Sequence, residues 1–183
     1  MVLTQSTIMP IGAKAPDFTL PDTRNNQPVT LADFAQTPVL IVFMCNHCPY
    51  VVHLVDELAS TANRFGDQGI ATVAVSSNDI TSHPQDGPLK MAELAADKGF
   101  KFPYCYDEQQ SVARAYDAVC TPDIYLFDAN HTLFYRGQFD DTRPNQGKAH
   151  GADLKNAAQA LLEGKPAPSD TQPSVGCSIK WKT

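Results

Sequence analysis

A chain of 183 residues, 43% hydrophobic and 19% charged, has the length and balance of one globular domain with a sizeable core. Its formal net charge of −6 argues against a nucleic-acid footprint, which needs clustered Lys and Arg, and no apolar run approaches the roughly 18 residues a membrane span needs. Five cysteines, at an odd count, fit a reducing compartment better than a secreted disulfide scaffold. The opening Met1-Val2-Leu3-Thr4-Gln5 carries neither a basic n-region nor an apolar h-region, so the expected location is the cytoplasm.

In chain order, Ile11 to Leu20 reads as a loop passing into a short strand. Turn residues Thr23 to Gln27 then precede Val29-Thr30-Leu31, which predicts a small hairpin. Val39-Leu40-Ile41-Val42-Phe43 is a continuous apolar, β-branched run, as a strand buried on both faces requires. Val51, Leu54, Val55, Leu58, Ala62 and Phe65 follow at helical spacing, with Pro49 in the first turn and Gly66 and Gly69 at the end. Ile70 to Val75 is a second buried strand, and the polar loop Ser76 to Pro88 leads into a helix over Leu89 to Lys98. Phe102 to Tyr106 is a short strand, and Asp107 caps a helix over Gln109 to Tyr116. Ile124-Tyr125-Leu126-Phe127 and Thr132-Leu133-Phe134-Tyr135 form an antiparallel hairpin, and a last helix runs from Ala152 to Glu163. The order predicts an α/β sheet covered on both faces. The domain is expected over residues 1–165, with a tail of residues 166–183 docked on it by the single Trp of the chain.

The chemistry concentrates where the first buried strand gives way to a helix, at Cys45-Asn46-His47-Cys48-Pro49. Two cysteines separated by two residues close a small disulfide at a helix N-terminus. There the unsatisfied backbone N–H groups and the helix dipole favour the thiolate on the leading sulfur, Cys45. Cys48 then lies further into the helix, as the thiol that resolves a mixed disulfide. A positive charge on His47 tunes the pair toward a more oxidising potential. A structural zinc site wants four ligands, and Cys105, Cys120 and Cys177 are isolated in the sequence. The expectation is therefore a dithiol–disulfide couple with no cofactor and no metal, while a metal-binding redoxin without turnover stays open.

Gly12-x-x-Ala15-Pro16-Asp17-Phe18, Val42 to Tyr50, Ser76-Ser77-Asn78-Asp79, Thr121-Pro122-Asp123 and Tyr135-Arg136-Gly137 together carry a resemblance. Over about Pro10 to Leu162 the chain resembles the redoxin branch of the thioredoxin superfamily, and more narrowly peroxiredoxin-like (AhpC-TSA type) proteins with a thioredoxin-style C-x-x-C. The resemblance implies a thioredoxin-like fold: a central mixed sheet with helices on both faces, an N-terminal β-hairpin and an inserted helix. It also implies that Thr121 and Pro122 form a cis-proline loop facing Cys45 and Cys48 and holding the substrate. Cys120, two residues before that proline, is then expected to approach the pair, either as a third thiol or as a small buried apolar residue. Cys177 is a second candidate auxiliary thiol, if the tail folds over the site. The implied partners are protein dithiols or disulfides, or a hydroperoxide, together with a thiol reductant, with the chain a monomer or homodimer. Thiol-dependent peroxide reduction is the alternative activity. Neither cysteine recovers the hydroxyl-bearing pattern of peroxiredoxins, and Arg114 and Arg136 are the nearest arginines to serve it.

Overall fold

The computed structural model describes residues 3–7 and 9–183. Its centre is a five-stranded sheet of β4 (Val39–Phe43), β5 (Ala71–Ser76), β6 (Tyr104–Tyr106), β8 (Asp123–Phe127) and β9 (Leu133–Arg136), in the order β6-β5-β4-β8-β9. Strands β4, β5 and β6 run parallel, while β8 and β9 are antiparallel additions. All five residues of β4 are buried, and the pleat divides them between two layers. Leu40 and Val42 pack with α1 (Pro49–Asp67), α2 (Pro88–Asp97) and α4 (Ala152–Leu162). Val39, Ile41 and Phe43 pack on the other face with α3 (Ser111–Ala115) and with Leu20 and Val29 of the hairpin β2 (Thr19–Pro21) and β3 (Pro28–Thr30). This is a thioredoxin-like arrangement, a mixed sheet with helices on both faces. Among the described residues no helix is long and apolar enough to cross a membrane.

Two features of the fold bear on the site beyond what the sequence expectation gave. The first is the start of α1. Its N-cap is Cys48, at φ −64° and ψ 123°, and its first helical residue is Pro49. A residue that precedes proline is driven out of the α region by the proline ring, so Cys48 is held extended and the helix begins one residue after it. Cys45, Asn46 and His47 therefore form a loop, and Cys48, rather than Cys45, sits at the mouth of the helix.

The second is the tail. Beyond α4 the chain returns to form β10 (Val175–Ser178), which lies between β1 (Leu3–Gln5) and β7 (Cys120–Thr121) in a three-stranded antiparallel sheet. Further bonds stitch it down. The Ile179 amide donates to the Val119 carbonyl (2.9 Å), and the Lys180 carbonyl accepts from the Asp79 amide (2.8 Å). Trp181 lies under the Arg114 guanidinium at 4.4 Å. The composition of residues 166–174, rich in Pro and Ser, concealed the strand that follows them.

Candidate active site

The loop between β4 and α1 brings Cys45 and Cys48 against β7. The Thr121–Pro122 peptide bond is cis. Cys48 Sγ lies 3.1 Å from the Thr121 carbonyl oxygen, and Cys45 Sγ lies 3.5 Å from Thr121 Oγ1. Thr121 thus meets both sulfurs, one through its side chain and one through its backbone. Both cysteines are almost fully buried, at 1% and 0% exposure.

On the loop side the site is organised by Asp86, which the sequence reading missed. Its carboxylate is fully buried. One oxygen accepts from the amides of Asn46 (2.8 Å) and His47 (3.3 Å); the other meets His47 Nδ1 (2.6 Å) and accepts from Asn78 Nδ2 (2.9 Å). A carboxylate with both oxygens engaged is an inexpensive buried anion, and here it fixes the backbone of the loop between the two cysteines. His47 Nδ1 lies 3.8 Å from Cys45 Sγ, but the same nitrogen serves Asp86 at the shorter distance. His83 stacks on His47 with ring centroids 4.9 Å apart. The only signal for Asp86 was its place in a polar loop of mixed Ser, Asn, Asp and His; nothing local tells which of its polar residues turns inward.

The thiol charges follow from this geometry. Cys48 is shifted down from 9.0 to about 5, above all because the Cys45 thiol donates to it; Cys177 and the Val51 amide help, against the opposing cost of burial. Cys45 is pushed well above the ordinary thiol range because it is that donor, because it is buried, and because the Asp86 carboxylate faces it. The two shifts run in opposite directions, Cys48 down and Cys45 up. The sequence reading favoured the thiolate on Cys45, whereas the contacts within the pair lower Cys48 instead.

The remaining candidates separate cleanly. Cys177 of β10 pairs in register with Thr121, and its Sγ lies 2.7 Å from that of Cys48. Cys120 does not join them: its thiol turns to the Pro122 carbonyl at 3.7 Å. Cys105 is core, raised to about 12 by burial. Arg136 is committed to Asp123 at 3.2 Å and stacked over Tyr125 at 4.5 Å, and Arg114 is held by Trp181. A metal donor set exists in principle, since Cys45, His47 and Asp86 bring ligand atoms within 4.8 Å of one another. Four hydrogen bonds engage both oxygens of Asp86.

The chain is similar to several known proteins. A crystal structure of an uncharacterized conserved protein from Geobacillus kaustophilus is 46% identical, with a TM-score of 0.96 over 100% of this chain and 97% of that one. The thiol-disulfide oxidoreductase ResA of the same organism is 28% identical over 130 residues, 69% of this chain and 68% of that protein. The thioredoxin domain of a thiol-disulfide oxidoreductase from Bacteroides vulgatus shares the fold, with a TM-score of 0.62 at 20% identity over 82% of this chain and 99% of that one. The family model described as "AhpC/TSA family" matches residues 11–136; on that match, and with a thioredoxin-like sheet beneath it, the chain belongs to the AhpC/TSA family.

Proposed function

We propose that this protein is a thiol–disulfide oxidoreductase whose working couple is Cys45 and Cys48. The observation that supports the reading most is the meeting of both sulfurs at Thr121, beside the cis bond to Pro122. In the reduced pair Cys45 carries the shared proton and Cys48 the charge. When the Cys45 sulfur attacks a substrate disulfide, its proton passes to the Cys48 thiolate, a Cys45–substrate bond forms and one substrate sulfur leaves as thiolate. Cys48 then attacks Cys45, and its proton goes to the second departing sulfur. For one Cys45–Cys48 disulfide the substrate yields one thiolate, which takes a proton from water, and one thiol; two equivalents of an external thiol, themselves oxidised to a disulfide, restore the pair. His47, tied to Asp86, positions the loop and sets the field at Cys45. Peroxide reduction is less well served, because Arg136 and Arg114 are both engaged away from the pair.

The test is the reduction of a disulfide-bonded peptide with dithiothreitol as electron source. Cys45→Ser and Cys48→Ser are expected to fall to the uncatalysed rate, and Cys48→Ser to accumulate a Cys45–peptide mixed disulfide. Substantial turnover in either variant would overturn the reading. Rapid mixing of reduced protein with equimolar hydrogen peroxide separates the alternative: a Cys45–Cys48 disulfide within seconds favours the peroxidase, whereas oxidation over many minutes favours exchange.

A further inference from the structure

The tail strand β10 lies where an extended peptide would pair with β7. Its placement is set sterically by Gly176, opposite Thr4 on β1 and packed on Thr121. A Cβ on Gly176 would fall 2.0 Å from the Thr121 carbonyl oxygen, so only glycine lets the tail approach this closely. The next residue is Cys177. Its sulfur lies 2.7 Å from Cys48 Sγ, a separation between the ~2.05 Å of a disulfide and the ~3.5–4.0 Å of ordinary nonbonded contact. Cys48 is then the sulfur common to two contacts, with Cys45 on the loop and with Cys177 on the tail.

We propose that Cys177 is a third redox-active thiol of this site, exchanging with the Cys45–Cys48 disulfide by attack on Cys48. This rests on the exchange reading above. The Cys177 sulfur forms a bond to Cys48 Sγ as the Cys45–Cys48 bond breaks. Cys45 leaves as thiolate and takes the proton that Cys177 gives up. The step is an isomerisation, two sulfurs oxidised before and two after, and needs no outside oxidant. The direction of proton transfer is consistent with the surroundings: Cys45 faces the Asp86 carboxylate, which disfavours its thiolate. The product keeps the oxidising equivalent in a Cys48–Cys177 bond that fastens the tail to the mouth of α1. Cys45 returns to the thiol form beside the partly open Asn46–His47 loop, ready to engage a second substrate sulfur.

The experiment is disulfide mapping. Reduced wild-type protein is oxidised in glutathione buffers, quenched in acid, alkylated and digested, and the linked peptides are identified by mass spectrometry. Both Cys45–Cys48 and Cys48–Cys177 links are expected in the wild type. Cys45→Ser is expected to give Cys48–Cys177 alone, and Cys177→Ala to give Cys45–Cys48 alone. If Cys45–Cys48 forms and the protein turns over, while neither wild type nor Cys45→Ser yields the Cys48–Cys177 link, the third thiol is overturned and the exchange reading stands. If no Cys45–Cys48 link forms and turnover is absent, the exchange reading fails and takes this proposal with it. Because the wild-type map is read directly, poor folding of a variant does not leave the question open.

Discussion

Strands β7 and β10 lie side by side, each carries a cysteine, and the two cysteines have opposite surroundings. Cys177 faces Thr121 in the ladder and reaches Cys48; Cys120, one step along and opposite Ser178, turns its thiol to the Pro122 carbonyl. Successive side chains of a strand point to opposite faces. Thr121 points at Cys45, so its neighbour Cys120 points away. Nearness in sequence to the cis-proline therefore counts for less than strand parity, and a cysteine 129 positions from Cys48 joins the site while one at 72 positions does not.

Three measurements sharpen or break this contrast, beginning with the largest effect. Gly176→Ala places a methyl group against the Thr121 backbone, which must then move. Overpacking of this kind costs about 1–3 kcal/mol, a Tm lower by roughly 2–12 °C in a chain of this size. The tail is expected to become cleavable by protease and the Cys48–Cys177 link to diminish. An unchanged Tm with an unchanged link would show that β10 does not depend on this close approach.

The second is a pH titration of the reduced protein. Thiolate absorbance should rise with a midpoint near the value of about 5 expected for Cys48 and vanish in Cys48→Ala. The sign for stability follows from a folded value lowered from 9.0 to about 5: the contribution is complete above 9, shrinks as pH falls, and is gone below 5. Cys45 is shifted the other way, so its contribution is complete below its ordinary value and is lost only at higher pH. Denaturant unfolding of reduced wild type against Cys48→Ala from pH 9 to pH 5 should show the difference closing. A constant difference would place the charge elsewhere.

The smallest effect is expected from Cys120→Ala, which removes a buried sulfur with no part in the cluster. It should cost about 1 kcal/mol, leaving both disulfide links and the exchange rate in place. Loss of either link would mean that Cys120 takes part in the relay.

Some of this was legible in the residues alone. The apolar run Val39 to Phe43 reads as a strand covered on both sides, because it is short, continuous and rich in β-branched residues. The helical spacing from Val51 to Phe65 fixed the partner it packs against, and the two cysteines between them had to sit at the junction. Local geometry also carried a signal that was read only in part: Pro49 after Cys48 constrains the backbone of Cys48, and that single steric fact moves the helix mouth from the first cysteine to the second. Asp86 and the face of Cys120 were beyond reach, and Cys177 could be named only on the condition that the tail folds over the site, since each depends on which distant segment arrives beside it.

By itself, then, the amino-acid sequence determined the alternation of strands and helices, the buried central strand and the position of the Cys45–Cys48 pair at its end, because these follow from periodicity and from backbone sterics acting within a few residues. Only the tertiary structure decided that the tail returns as β10, that Gly176 seats it on Thr121, that Asp86 holds the loop, and that Cys177 reaches Cys48. Those outcomes depend on hydrogen bonds and thiol contacts between residues far apart in the chain, and no local pattern encodes a partner that only folding brings within reach.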